Sequence, residues 1–114
     1  MDAETIVFEN LYIRLIKHFK GGVGLPVKES HCFFCEHKDF SLHFSLTDYE
    51  FTILELKARH NLHRIRNEVL QIVTDVAKDE GLVISVIAPV GALCLRLFCL
   101  GYVFDECDES YILW

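Results

Sequence analysis

The chain has few of the residues that mark linkers and loops. Of its 114 residues, two are proline, six glycine, one methionine and one tryptophan. No Pro-, Gly- or Ser-rich stretch divides it, and no repeat or low-complexity segment occurs, so residues 1–114 read as a single domain. Basic residues are also scarce. Eleven Lys and Arg stand against 17 Asp and Glu, for a net charge of −6. A general nucleic-acid binder needs a basic face to neutralise phosphates, and this balance excludes one. A solvated acidic surface and a protein partner fit it better. One apolar run approaches membrane length: Leu82 to Leu100 carries a single charge, Arg96, across nineteen residues. Pro89 and Gly91 interrupt it, and Ile84, Val86 and Ile87 favour a strand, so no membrane segment is expected. Met1-Asp2-Ala3-Glu4 is acidic where a secretory signal is basic. Five cysteines, an odd number, then read as free thiols in a reducing cytoplasm, with Cys94 and Cys99 packing as small hydrophobes.

What is present is a periodic pattern over most of the length. Residues 3 to 20 place Phe8, Leu11, Tyr12, Leu15, Ile16 and Phe19 at helical spacing. Gly21-Gly22-Val23-Gly24 and Pro26 end that helix. The glycine run lacks Gly-Lys-Ser/Thr and opens no helix, so it reads as a turn and not as a phosphate loop. Glu29 to His37 reads as one strand. Phe40 to Leu46 alternates Phe40, Leu42, Phe44 and Leu46 with Ser41, His43 and Ser45, a half-buried strand. After the turn at Thr47-Asp48, Phe51 to Ala58 continues as its antiparallel partner, read as a more fully buried strand through Phe51, Ile53, Leu54 and Leu56.

The longest pattern follows. Leu62 to Glu80 repeats Leu62, Ile65, Val69, Ile72, Val73 and Val76 at spacings of three and four, and Gly81 supplies a C-cap. Leu82 to Ala88 reads as a strand covered on both sides. Ala92 to Leu100 forms about two helical turns, ended by Gly101. Tyr102 to Trp114 returns as extended chain with a polar turn at Asp108-Glu109. The sum is an α+β fold, a mixed, mostly antiparallel sheet with helices on its faces.

That element order, ending in ALCLRLFCLGYVFDECDESYIL, resembles the C-terminal half of the GNAT superfamily of acetyl-CoA-dependent acyltransferases over residues 40 to 114. In size it is nearest to the small phage-encoded members. The resemblance implies a GNAT-like domain, acetyl-CoA as cofactor, and transfer of its acetyl group to an amine held at the splayed central strands. It also implies a Q/R-x-x-G-x-G/A loop at the strand-to-helix junction, whose backbone N–H groups approach the pyrophosphate. Here that junction is KARHNLHRIR, Lys57 to Arg66. Asn61 falls where the leading Gln or Arg stands, and Arg64 and Arg66 fall where the glycines stand. No glycine occurs between Lys57 and Glu80. The cofactor-contact candidates are therefore Arg59, Asn61, Arg64 and Arg66, whose guanidinium groups suit an anion in another geometry. The alternative is a solvated basic helix start formed by these arginines with His60 and His63. The family's general-acid tyrosine falls at Leu97, which has no proton to give. Tyr102, just after Gly101, reads as packing. Glu50, Glu55 and His60 are the general-base candidates.

A second constellation is His31-Cys32-Phe33-Phe34-Cys35-Glu36-His37. Cys32 and Cys35 have the spacing of a zinc knuckle, with His31, His37, His43, His60, His63 and Cys107 as further ligands. On a strand, Cys35, His31 and His37 share one face and Cys32 takes the other. Ordinary thiols and surface histidines are the reading preferred over zinc. Three functions remain open. The first is an acetyltransferase-like protein with transfer weakened or lost. The second is a non-catalytic protein-binding module, such as a phage or viral inhibitor of a host factor, contacting its target through the basic helix start or the aromatic end Tyr111 to Trp114. The third is a zinc-stabilised adaptor.

Overall fold

The computed structural model describes residues 3–20, 22, 24, 27–29, 32–47, 49–58, 63–87, 91–107 and 109–113. These form α1 (Ala3–Phe19), β1 (Val27–Glu29), β2 (Cys32–Glu36), β3 (Phe40–Leu46), β4 (Glu50–Ala58), α2 (His63–Asp79), β5 (Val83–Ile87), α3 (Gly91–Cys99), β6 (Val103–Asp105) and β7 (Ser110–Leu113). The strands make one sheet in the order β1-β2-β3-β4-β5-β7-β6. Every neighbouring pair is antiparallel except β4–β5, which is parallel. The expected single α+β domain, with a mixed and mostly antiparallel sheet, is therefore the fold observed.

Two expected elements differ. The segment 29–37, read as one strand, belongs to two, because β1 ends at Glu29 and β2 starts at Cys32. The closing segment is a hairpin, and its second strand lies inside the first: β7 pairs with both β5 and β6. Local sequence sets strand propensity but not which neighbour a strand chooses, so this insertion was not visible from composition.

The core follows from the alternation. Phe40, Leu42, Phe44 and Leu46 of β3 all turn to the helix-covered side and are buried. Opposite them β4 buries Phe51, Ile53 and Leu56, a spacing of two and then three. A strand keeping strict period two would send Leu56 to the wrong face. The register shifts between His43 and Phe44: Phe44 faces Ile53, His43 faces Glu55, and Leu54 has no residue opposite. This β-bulge restores the phase, so both halves of β4 bury apolar side chains on one face. Phe33, Phe44 and Phe51 stack in a row across three strands, with centroids 5.2 and 4.8 Å apart.

α1 brings Val7, Leu11 and Leu15 to this core, and α2 brings Val69, Leu70, Val73, Val76 and Ala77. The two helices are clasped at one end by polar pairs. Arg14 meets Asp79, and the Asn10 amide donates to Glu80 at 3.1 Å. α2 and α3 stop in the same way. Leu82 N–H donates to the Ala77 carbonyl at 2.8 Å, and Tyr102 N–H donates to that of Leu97 at 3.0 Å. Gly81 and Gly101 sit between at φ 69° and 95°, where a side chain would strain the backbone. No helix among the described residues is long and apolar enough to cross a membrane.

One buried polar pair ties α2 to the chain leaving α3. The Thr74 hydroxyl donates to the Leu70 carbonyl at 2.7 Å, which leaves its oxygen to accept from the Tyr102 hydroxyl at 2.8 Å. Removing one partner strands the other in the core, at a cost of about 1–3 kcal/mol, whereas removing both leaves no orphan. Thr74→Val is therefore expected to lower unfolding stability by more than Thr74→Val combined with Tyr102→Phe. A denaturant double-mutant cycle reads this difference directly.

Candidate functional site

The parallel pair β4–β5 supplies the opening. Its pairing runs from Glu50↔Val83 to Ile53↔Val86 and stops there. β4 continues through Ala58, past the bulge at Leu54, while β5 ends at Ile87. Among the described residues no strand bonds the β5-side edge of β4 beyond Ile53, so the two strands part. α2 starts five residues after the end of β4, and α3 four after the end of β5. Both helix N-termini thus lie at the carboxyl ends of the parallel strands, where helix dipoles and free N–H groups favour an anion.

Of the four cofactor-contact candidates, Arg59 and Asn61 lie outside the described residues, as do His31 and His60. Arg64 is solvated and pairs with Glu68 one turn along, at 3.4 Å. Arg66 is not part of a solvated basic start, which corrects that reading. It is 8% exposed, and its Nε is buried without an acceptor. Residues two apart on a helix point about 200° away from each other, so Arg64 and Arg66 do not act together. Arg66 heads the buried stripe that continues through Leu70 and Val73. A bulky cation therefore occupies the first turn of α2, where the family resemblance places a glycine.

The proton carriers are arranged differently from the sequence expectation. Leu97 is fully buried and inert. Tyr102 is buried packing, as expected, and burial pushes its hydroxyl up to about 12 against the opposing bond from Thr74. A different phenol lies one strand beyond β5 from the opening. Tyr111 of β7 is opposite Val86, and Val86 is opposite Ile53, so the three share one rung and one face at the point where β4 and β5 part. The Tyr111 hydroxyl shares a hydrogen bond with the Cys94 thiol in the first half of α3, and that contact raises its pKa above the ordinary tyrosine value. The phenol is protonated at neutral pH and able to donate. Counting along α3 does not find it, because the residue arrives from a strand inserted beside β5.

The general-base candidates also separate. Glu50 is at the start of β4, away from the opening, and its Oε1 accepts from Ser85 at 2.6 Å and from Thr52 at 3.1 Å. A carboxylate so bonded is a structural tie. Glu55 follows the bulge on the sheet's other face, paired with Lys57 at 3.4 Å and opposite His43. Phe34, Glu36, Ser41, His43 and Glu55 line a cavity of about 120 Å³ there. The His43 ring stacks on Phe34 at 4.0 Å, and its Nε2 is buried without a partner.

The zinc knuckle does not assemble on the described strand. Cys35 is buried with Phe33, while Cys32 takes the opposite face. Burial, with Glu36 nearby, pushes the Cys35 thiol up to about 11, which opposes the thiolate that a metal needs. No group of three His, Cys, Asp or Glu gathers among the described residues. Two side chains depart from expectation. His37 is buried and not at the surface, stacked on Phe40 at 5.1 Å with Nδ1 accepting the Asp39 N–H at 3.0 Å. Cys99 is exposed and not packed, whereas Cys94 is half-buried.

Tyr102 and Cys35 share a pH consequence. Both have folded-state values raised above their ordinary ones of 10.0 and 9.0. Above those ordinary values the unfolded chain loses protons that the folded chain keeps, so stability falls with rising pH. Denaturant midpoints are expected to hold up to about pH 9 and to fall progressively toward pH 12. Cys35→Val and Tyr102→Phe each flatten that fall.

No family model matches the chain, and no curated protein matches it in sequence. Among solved structures it is similar to the anti-CRISPR protein AcrVA5, at 19% identity and a TM-score of 0.53. The match covers 79% of this chain and 97% of that one. At that identity the likeness is one of fold, and it supports the α+β arrangement described above.

Proposed function

We propose that this chain is a GNAT-like acetyltransferase-type protein whose cleft admits an acetyl-CoA-type anion, with acetyl transfer to an amine weakened or lost. The observation that carries the reading is the parting of β4 and β5 after a bulge, with the N-termini of α2 and α3 at the opening. The weakening rests on Arg66. A pyrophosphate docks on backbone N–H groups only where side chains leave room, and a buried arginine in the first turn of α2 takes that room. Its unpartnered Nε offers one charge-assisted contact in exchange.

Bound acetyl-CoA would supply a thioester for attack by an amine. The Tyr111 hydroxyl would then be the group that gives a proton to the departing thiolate as the C–S bond breaks, and the proton lost by the amine would pass through solvent to restore it.

Calorimetric titration of acetyl-CoA into the pure protein tests the cofactor reading. Binding weaker than micromolar is expected for the wild type, unchanged in Arg64→Ala and altered by at least about threefold in Arg66→Ala. Thiol release from acetyl-CoA in the presence of a polyamine is expected to fall roughly tenfold or more in Tyr111→Phe. An absence of binding in both the wild type and Arg66→Ala would count against the acetyl-CoA reading.

A second reading is favoured by the likeness to an anti-CRISPR protein. On it, the chain is a viral accessory protein that inhibits a host factor, with or without a working cleft. Expression of the chain in a host carrying CRISPR immunity is then expected to raise phage plating by at least about an order of magnitude, the scale on which a modest loss of a tight interaction registers. Unchanged plating against each immunity type tested removes that reading.

A further inference from the structure

The sheet face opposite the one on which Phe40, Leu42, Phe44 and Leu46 are buried carries a pocket that the cleft does not use. Six side chains stand there in two rows across β2, β3 and β4. Phe34, His43 and Glu55 lie opposite one another in the first row, and Glu36, Ser41 and Lys57 in the second. Cys35 and Leu42, between the rows, turn to the core. The register shift at His43 and Phe44 is what sets Glu55 on this face. Ser41 is the short side chain of the grid, and around it lies the cavity of about 120 Å³ lined by Phe34, Glu36, Ser41, His43 and Glu55.

The inner part of this pocket is polar and unsatisfied. His43 Nε2 is buried there without a partner, while its ring stacks on Phe34 at 4.0 Å. A buried nitrogen left unpaired is costly, so the site favours a group that bonds to it. The rim is acidic. Glu36 on β2 and Glu55 on β4 are both exposed and flank the cavity from its two sides. Lys57 meets Glu55 at 3.4 Å, but its side chain is 69% exposed, and an ion pair in water exchanges easily. Two carboxylates against one ammonium leave a net negative charge over the pocket. Among the described residues that line it, none is Lys or Arg.

These features call for a small cation with N–H donors aimed in several directions. A water molecule can pair with Nε2 but leaves the charge unanswered. An ammonium is compact and strongly hydrated, which opposes its entry. A guanidinium is planar and weakly hydrated, and it carries five N–H donors in a fixed fork. A cavity of about 150 Å³ holds a benzene ring, so the volume here suits a planar group of that scale or smaller.

We propose that this pocket binds a guanidinium group, of a free small molecule or of an arginine side chain presented by a peptide. His43, with its ring proton on Nδ1, accepts one N–H at Nε2, and the Glu36 and Glu55 carboxylates accept others. The proposal does not rest on acetyl-CoA binding. The cleft lies on the β5 side of β4, and the pocket on the β3 side.

An NMR titration of the full chain with methylguanidinium tests it. The His43 ring nitrogens and the Phe34, Ser41 and Glu55 amides are expected to shift together, with a Kd on the order of 1–10 mM for so small a ligand. Urea, neutral and of similar shape, and methylammonium are each expected to bind at least about tenfold more weakly. Glu36→Gln with Glu55→Gln, at two exposed positions, is expected to weaken binding roughly tenfold or more, and His43→Phe, which keeps a ring on Phe34, to weaken it as well. Lys57→Met frees Glu55 and tightens binding about twofold. A capped arginine peptide that binds at least about tenfold tighter than methylguanidinium assigns the group to a peptide side chain, and equal affinity assigns it to a free small molecule. No shift at these positions (a pocket filled by water alone), urea binding as well as methylguanidinium, or affinity indifferent to both the double variant and His43→Phe would each overturn the inference. Failure of acetyl-CoA to bind leaves it standing.

Discussion

The extra residue in β4 is the constraint on which the rest depends. With Leu54 unpaired, one nine-residue strand presents Phe51 and Ile53, then Leu56, to the same side. Without that shift, Leu56 would face water and Glu55 the core. The bulge also bends β4 where β5 ceases to accompany it. Core continuity and the opening of the cleft are therefore two results of one local irregularity. Bulges beside openings are a common way of aiming side chains, and here the aimed residue is Glu55, opposite His43.

Much of this was legible in the sequence where a single physical rule acts alone. Alternation fixed β3, because one side of it meets a core and the other does not. The stripe Val69, Val73 and Val76 with Gly81 fixed α2 and its end. The split of Cys32 and Cys35 onto opposite faces followed from the period of a strand. The bulge had a signal as well: buried residues at 51, 53 and 56 fit neither period two nor period 3.6. That spacing becomes informative only once the strand is known to be half-buried throughout.

The rest was not legible, because it depends on partners distant in the chain. Arg66 looks like a surface cation by composition, and only the packing of α2 against the sheet shows it heading a buried stripe. His37 is buried because Phe19 and Phe40 bracket its ring, at 5.3 and 5.1 Å. Tyr111 stands beside Val86 because β7 enters between β5 and β6, a choice of neighbour that no local window encodes. Of the aromatic end of the chain, Tyr111 to Leu113 lie half-buried in an interior strand. Among the described residues the exposed aromatics are Tyr49, Phe98 and Phe104.

The single parallel joint has a consequence for how the chain assembles. It is four rungs long and divides the sheet into two blocks, β1 to β4 and β5 to β7, each contiguous in sequence. Strand contacts from β1 to β4 and between β6 and β7 close short loops, whereas β5–β7 closes across α3 and β6, and the joint closes across the whole of α2. Loop entropy therefore favours early formation of the β1–β4 block and the β6–β7 hairpin and leaves the seam for later. The cleft lies on that seam, so its geometry is fixed by a late step of folding. Two fragments cut between β4 and α2 would each keep their own strand pairs, with the seam and the packing of α1 on α2 left to join.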